Sequence, residues 1–173
     1  KPGVTEQELS VKLTNEFTKL GGEGESFGSI VAFGRGSALP HYMTSNKKLK
    51  KGDLVLFDVG AKYKGYCGDT TRVVFLGKPK AEVLKIYNLV KDAQEKAIQK
   101  IKEGVTGGEG YNFSNDIFIK AGVSEKFTHG LGHGIGMAVH EEPYLRKSSN
   151  TVLKEGMVFS VEPGLYFEKW GGI

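Results

Sequence analysis

The chain has 173 residues, of which 39% are hydrophobic and 25% are charged, a composition typical of one globular domain. The sequence shows no apolar stretch long enough to span a membrane and no secretion signal, so we expect no membrane partner. The net charge of +4 comes largely from dispersed lysines, and we therefore expect no nucleic-acid partner. A single cysteine, Cys67, excludes an internal disulfide framework and favours a cytoplasmic location.

The predicted elements begin with a helix after Thr5, which forms a capping box with Glu8, and Gly21 ends this helix. Apolar residues at helical spacing predict a longer helix over 81–101 and a weaker one over 112–121. Runs rich in β-branched and aromatic residues predict strands at 29–33, 53–59, 66–76, 157–162 and 165–167. Hairpin connections among these strands favour a curved antiparallel sheet with helices on its outer face.

Two aspartates flank a sharp turn signal and are the most informative residues of the chain. Asp58 and Asp69 are separated by ten residues, and each lies within a hydrophobic run. If the hairpin is centred between Tyr63 and Lys64, the two carboxylates face each other directly, with Cβ atoms roughly 5 Å apart. Like charges at that distance need a cation between them, and hard oxygen ligands favour a divalent metal. The alternative is one aspartate in the turn and the other on the solvent face.

The second half of the chain repeats the first half. Residues 1–5 recur as 102–106, and residues 49–60 recur as 153–164. Because the matches keep their order, we predict a duplicated unit of about 100 residues, present as two halves of one core related by a pseudo-twofold axis. Asp58 then corresponds to Glu162, and we expect the two acids to meet near that axis.

Three of the four histidines lie in one glycine-rich stretch, 127–143. His129 and His133 have the spacing of a metal-binding pair on a helix, but the surrounding glycines disfavour a helix. No GxGxxG register follows a strand and opens a helix, which argues against nucleotide binding. Taken singly, each histidine is more often structural than a ligand. We predict a loop that brings imidazole groups and the exposed backbone of glycines to a reaction centre. Imidazole and carboxylate ligands together suit Mn, Fe, Co or Zn.

Taken together, these motifs resemble those of the pita-bread metallo-aminopeptidases. The shared features are the Asp58 to Asp69 spacing, His133-Gly-Ile-Gly followed by His140-Glu, and Val161-Glu162-Pro-Gly. Further runs resemble the Xaa-Pro branch of that family, prolidase and aminopeptidase P, more than methionine aminopeptidase. These runs are Ala38-Leu-Pro-His41-Tyr42, Gly65-Tyr66-Cys67-Gly68-Asp69-Thr70-Thr71-Arg72 and Glu162-Pro-Gly-Leu-Tyr166.

The resemblance implies an α+β pita-bread fold with a curved antiparallel sheet, outer helices and an internal pseudo-twofold duplication. Residues 1–173 would form a single catalytic domain. The resemblance also implies two divalent metal ions, Mn, Co or Zn, that activate a hydroxide bridging them. The implied metal ligands are Asp58, Asp69, His133 and Glu162.

The resemblance further implies roles for three catalytic residues. His140 would donate a hydrogen bond to the developing oxyanion, His41 would help seat the prolyl residue, and Glu162 or a further glutamate ligand of the family pattern would shuttle a proton. The implied activity is hydrolysis of Xaa-Pro bonds in dipeptides or at peptide N-termini. The substrate is a proline-containing peptide, and the full-length form is expected to be a homodimer. Thr71 and Arg72 are expected to support the metal ligands, although both also fit the pattern of ordinary strand residues.

Two alternatives share the same fold, a catalytically inactive binding module and a metal-free amidinohydrolase. Both predict lost ligands, whereas all four ligand positions noted above are acidic or histidine. The family pattern has a further glutamate ligand after a Gly-Gly-[Ile/Val]-Arg run, and this chain stops at Gly171-Gly172-Ile173. We therefore expect a chain truncated at both ends that binds one metal or none and has little peptidase activity as an isolated fragment.

Overall fold

The computed structural model describes residues 1–173, which form two compact units. The first unit comprises residues 1–83 and 166–173, and the second comprises residues 84–165. The helices are α1 (Glu6–Lys19), α2 (Ala81–Lys100) and α3 (Gly107–Lys120). The strands are β1 (Ile30–Phe33), β2 (Leu54–Val59), β3 (Lys62–Tyr63), β4 (Tyr66–Cys67), β5 (Thr70–Phe75), β6 (Gly132–Gly134), β7 (Glu141–Leu145), β8 (Tyr166–Phe167) and β9 (Gly171–Gly172). None of the helices is both long and apolar enough to cross a membrane.

The first unit is built on a three-stranded antiparallel sheet with the order β1-β2-β5. Its core is formed by buried apolar residues of the sheet and of the loop before β2, namely Val31, Phe33, Leu49 and Val55. Leu9 and Leu13 of α1 pack against this core, as their helical spacing predicts. The predicted first helix and the strands 29–33 and 53–59 are therefore confirmed to within one residue of each boundary.

The second unit packs α2, α3 and the segment after α3 around aromatic side chains. Ala93 and Ala97 of α2 are fully buried, which confirms the predicted apolar face of that helix. The ring of Phe127 stacks on Tyr111 at a centroid distance of 5.0 Å and meets the edge of Phe118 at 5.3 Å. These ring contacts hold the segment that leads into the histidine-rich stretch against α3.

Helix α3 begins at Gly107, earlier than the predicted range 112–121, and the prediction of its start is wrong. The low helix propensity of its glycines is overridden because Thr106 caps the helix and neighbouring backbone approaches its first turn. A Cβ atom at Gly107 would lie 2.4 Å from the carbonyl oxygen of Tyr144. Glycine is therefore required at this helix start by packing against the end of β7.

The hairpin between β2 and β5 turns at Lys64 and Gly65, whose φ angles of 50° and 78° are left-handed. Such a two-residue turn matches the twist of the paired strands and fixes their register. The turn lies one residue later than predicted, so Asp58 pairs with Thr71. The prediction that Asp58 directly faces Asp69 is wrong, because Asp69 immediately precedes β5 and is displaced by two residues from that pair.

Other strands also differ from their predicted ranges. The run 66–76 forms two short strands, β4 and β5, and the run 165–167 contributes β8. The segment 157–162 is not a strand and makes a single isolated bridge, between Phe159 and Gly134. The unpredicted strands β6 and β9 consist largely of glycine, which carries no β-propensity signal.

The predicted duplication is visible in the local structure of each unit. Thr5 and Glu8 form a capping box on α1, and Thr106 and Glu109 form the same box on α3. Each helix has 14 residues. In each box the backbone N–H of the threonine donates to the glutamate, and this bond is the main reason that the pKa of Glu8 and of Glu109 lies below its ordinary value.

The backbone before each of these helices also repeats. The N–H of Gly3 donates to the carbonyl of Leu49 over 2.8 Å, and the N–H of Gly104 donates to the carbonyl of Leu153 over 2.9 Å. Both glycines have left-handed φ angles, 90° and 89°. The sequence repeat is thus a repeat of hydrogen bonding within each unit.

A buried carboxylate at the start of α1 was not anticipated from the sequence. Glu6 is fully buried, and its Oε1 accepts from the backbone N–H of Phe33 over 2.8 Å. Its Oε2 accepts from the hydroxyl of Tyr42 over 3.0 Å, and from the backbone N–H and hydroxyl of Ser45 over 3.0 and 2.6 Å. Four donors therefore satisfy one buried acid and fix the loop that follows His41.

We predict that Glu6→Gln destabilises the protein strongly. The amide retains one acceptor and turns its NH₂ group towards buried donors, so the free energy of unfolding should fall by about 2–4 kcal/mol in chemical denaturation. The matched control is Glu16→Gln on the same helix, where the side chain is 58% exposed. That control should change stability by less than about 0.5 kcal/mol, and an equal effect of both substitutions would contradict the structural role of Glu6.

Candidate metal centre

His133 lies at the middle of β6, whereas the sequence predicted a loop. The strand forms because its backbone is paired with β7 on one side and hydrogen-bonded to residues 158–162 on the other. The backbone N–H of Ser160 donates to the carbonyl of His133, and the N–H of Glu162 donates to the carbonyl of Leu131, both over 2.8 Å. This pairing places the side chains of His133 and Glu162 next to each other.

The glycines around His133 permit this close packing of backbone, as the sequence predicted. A Cβ atom at Gly132 would lie 2.0 Å from the carbonyl oxygen of Ser160. At Gly134 it would lie 2.3 Å from the carbonyl oxygen of Glu142. The register of β6 and β7 shifts between His133 and Gly134, and such irregularities commonly redirect a side chain beside a functional site.

The imidazole of His133 is oriented by a carbonyl on one side and a carboxylate on the other. Its Nδ1 donates to the carbonyl oxygen of Gly134 over 3.1 Å, so the doubly protonated ring can also donate from Nε2 to Glu162, and once that second proton is lost Nε2 offers a lone pair to a metal ion. This Nε2 lies 3.0 Å from Oε1 of Glu162. Two ligand atoms roughly 2.1 Å from one metal ion at right angles would lie about 3 Å apart, so the donor set fits a divalent ion.

Glu162 is ionised at neutral pH despite its partial burial. Burial raises the pKa of its carboxyl group, but hydrogen bonds from His133 and Ser160 and the positive charges of His133 and His129 outweigh that effect. The net result is a pKa below the ordinary value for glutamate. The carboxylate is therefore available as a metal ligand and as a proton acceptor at neutral pH.

Ser160 connects the two side chains of this pair. Its Oγ accepts from the backbone N–H of His133 over 3.0 Å and donates to Oε1 of Glu162 over 2.7 Å. The hydroxyl therefore fixes both the backbone of the histidine and the carboxylate of the glutamate. Ser160 belongs to none of the sequence motifs, although its position two residues before Glu162 on an extended segment places both side chains on one face.

His140 lies beside the same pair. Its ring is 4.3 Å from the ring of His133 by centroid distance, with an interplanar angle of 77°, and its side chain is exposed. The Nδ1 of His129 is bonded to the carbonyl of Gly130, and its ring lies against the edge of Phe127. Within the second unit, the structure thus brings His133, His140 and Glu162 together.

In the first unit, Asp58 lies on β2 and is held by its partner on β5. The hydroxyl of Thr71 donates to Oδ1 of Asp58 over 3.1 Å, which supports the expected positioning role of Thr71. Arg72 donates from its guanidinium group to the carbonyl of Thr71 over 2.8 Å. Asp69 lies two residues before Thr71, so the two aspartates are diagonal across the hairpin rather than opposite.

His41 follows the short 3₁₀ helix Gly34–Ala38 and is exposed. The next residue, Tyr42, donates its hydroxyl to the buried Glu6, and this bond anchors the loop that carries the histidine. Neither Glu6 nor the bonds it accepts could be inferred from local patterns. From sequence alone, an acid after an N-capping threonine indicates only a favourable charge at a helix start. The donors that bond Glu6 are 27 to 39 residues away along the chain.

Comparison with known proteins identifies the family. The model of metallopeptidase family M24 matches residues 1–173. The Xaa-Pro dipeptidase of Pyrococcus horikoshii is 41% identical over 171 residues, which is 99% of this chain and 49% of that protein.

Solved structures agree with this match. The X-Pro aminopeptidase from Thermotoga maritima has a TM-score of 0.97 and 43% identity, covering 100% of this chain and 49% of its own. The prolidase from Pyrococcus furiosus has a TM-score of 0.98 and 39% identity, covering 100% and 51%. The α+β pita-bread fold is therefore confirmed. The chain spans about half the length of these relatives, and it belongs to metallopeptidase family M24, whose members act with divalent metal ions.

Proposed function

We propose that the protein is a metal-dependent exopeptidase that hydrolyses Xaa-Pro bonds in dipeptides or at peptide N-termini. The observation that carries this proposal is the pair formed by His133 Nε2 and Glu162 Oε1, 3.0 Å apart, in a chain of a metallopeptidase family. Relatives named as an Xaa-Pro dipeptidase and an X-Pro aminopeptidase support the choice of substrate.

The proposed metal ligands are Asp58, Asp69, His133 and Glu162. Three carboxylates and one imidazole suit Mn, Co or Zn, and we propose two such ions as the cofactors. When bound, divalent ions would lower the pKa of water and polarise the scissile carbonyl. Thr71 and Ser160 would keep Asp58 and Glu162 in their ligating orientations.

Hydrolysis adds water across the peptide bond before proline. The water oxygen bonds to the carbonyl carbon, the C–N bond breaks, and one proton passes to the prolyl nitrogen. We assign the proton transfer to Glu162, because its carboxyl group is ionised at neutral pH and its oxygens can therefore accept a proton. His140 would donate a hydrogen bond to the oxygen on which negative charge develops, and His41 would help seat the prolyl ring.

Manganese and cobalt are the first metals to test among the three candidates. We propose a cytoplasmic location, since the only cysteine fits a reducing compartment. We further propose that the intact protein forms a homodimer and acts on proline-containing peptides without a nucleic-acid or membrane partner.

The direct test is hydrolysis by the intact protein of three peptides that share the same first residue, Xaa-Pro, Xaa-Pro-Xaa and Xaa-Ala. Activity should disappear on chelation and return on addition of Mn²⁺, Co²⁺ or Zn²⁺, and the most active ion identifies the metal. Cleavage of Xaa-Pro alone indicates a dipeptidase, and cleavage of the tripeptide indicates an aminopeptidase. A metal-loaded protein that cleaves none of these peptides would support the inactive binding module.

The oxyanion role of His140 gives a separate prediction. His140→Ala should lower kcat for Xaa-Pro hydrolysis by roughly 10² to 10³, because removal of one oxyanion donor has about this effect in other hydrolases. The metal content, measured by elemental analysis, should stay at the wild-type level. The matched variant His140→Gln retains a donor and should lose less activity. Loss of metal together with activity would instead identify His140 as a ligand.

A further inference from the structure

The peptide bond between Val161 and Glu162 is held at both ends. Its N–H, on Glu162, donates to the carbonyl of Leu131 over 2.8 Å. Its C=O, on Val161, accepts from the side-chain amide of Gln94 over 2.7 Å. A peptide unit is planar, so two bonds on opposite edges fix its rotation about the chain axis. The direction in which the Glu162 side chain leaves the backbone is therefore fixed as well.

Gln94 is itself a well-anchored donor. It is partly buried on α2, immediately after the fully buried Ala93. The carbonyl oxygen of Ala93 accepts from the hydroxyl of Ser114 over 3.0 Å, and Ser114 is fully buried on α3. The Ser114 bond thus ties α2 to α3 next to Gln94, and the bond of the Gln94 amide at 2.7 Å is short for a neutral N–H donor.

We infer that Gln94 is a positioning residue for Glu162, through which helix α2 sets the geometry of the metal ligand; this inference rests on the proposed metal site. Gln94 touches neither the carboxylate nor the imidazole, and it acts by fixing the peptide plane. Ser160 fixes the carboxylate directly, so Glu162 is oriented at its backbone by Gln94 and at its side chain by Ser160. Loss of the backbone bond should weaken metal binding without removing a ligand.

The test uses Gln94→Met in the intact protein, since methionine has a similar length and no donor. The matched control is Gln99→Met, five residues further along α2 at an exposed position. Metal-free protein is titrated with Co²⁺, and the visible absorption of the bound ion reports both affinity and ligand geometry. We expect a Kd about tenfold higher for Gln94→Met, with unchanged stoichiometry and an altered absorption spectrum, whereas Gln99→Met should match the wild type.

Thermal unfolding of the metal-free protein separates a positioning role from a purely structural one. If Gln94 only positions the ligand, the unfolding midpoint should be nearly the same for Gln94→Met and Gln99→Met. A second variant, Gln94→Glu, has the same shape but turns a carboxylate towards the carbonyl, and it should raise the Kd at least as much.

Two results would overturn the inference. One is a Kd and an absorption spectrum for both Gln94 variants equal to those of Gln99→Met. The other is unfolding of the metal-free Gln94 variants, which would assign the residue to stability alone. Because metal binding is measured without peptide, a wild-type protein that binds Co²⁺ but does not cleave Xaa-Pro would refute the proposed activity and leave this result intact.

Discussion

The close approach of backbone between β6 and residues 158–162 determines the arrangement of the second unit's polar side chains. Hydrogen bonds from Ser160 and Glu162 to carbonyls of the facing chain set the register. Since a Cβ atom at Gly132 would collide with the carbonyl of Ser160, glycine is a condition of this register. A shift by one residue would turn the imidazole of His133 away from Glu162. The glycines of the histidine stretch are thus required for the backbone packing that places His133 beside Glu162.

Each unit holds an acid with a neighbouring hydroxyl, but the hydroxyl comes from a different place. Asp58 and Glu162 occupy corresponding positions of the sequence repeat. Asp58 is bonded by Thr71, which lies across the hairpin, and Glu162 is bonded by Ser160, which lies two residues away on the same segment. The duplication has therefore kept an oriented carboxylate in each copy while the supporting contact has changed. Such support is expected where a carboxylate must bind a metal in one orientation.

Features set by local chemistry could be predicted from the sequence, and features set by distant contacts could not. The cap at Thr5, the packing of Leu9 and Leu13 of α1 and the buried face of α2 follow from spacing along the chain and are confirmed, whereas Leu20 at the end of the α1 stripe is exposed. The start of α3 was missed because packing against the end of β7 outweighs the low helix propensity of glycine. The predicted centre of the hairpin was wrong by one residue. The turn is set by the left-handed backbone of Lys64 and Gly65, and these φ angles are not apparent from the sequence.

The same distinction, between what local sequence indicates and what distant contacts decide, applies to the residues of the candidate site. Motif residues such as His133 and Glu162 were identified because their types and order resemble a family, and the structure places these two in contact. Gln94 and Glu6 were missed because a polar residue on a helix is ordinarily solvated, and their partners are far away in sequence. Residues that orient a site are therefore harder to read from one sequence than residues that carry out its chemistry.

The central claim is that His133 and Glu162 bind the same divalent ion. The most direct measurement is anomalous X-ray scattering from crystals of the intact protein saturated with Mn²⁺. We predict a metal peak bonded to Nε2 of His133 and to a carboxylate oxygen of Glu162, each at about 2.0–2.3 Å. A metal-saturated protein in which Nε2 remains hydrogen-bonded to Glu162, with the ion bound elsewhere, would contradict the claim.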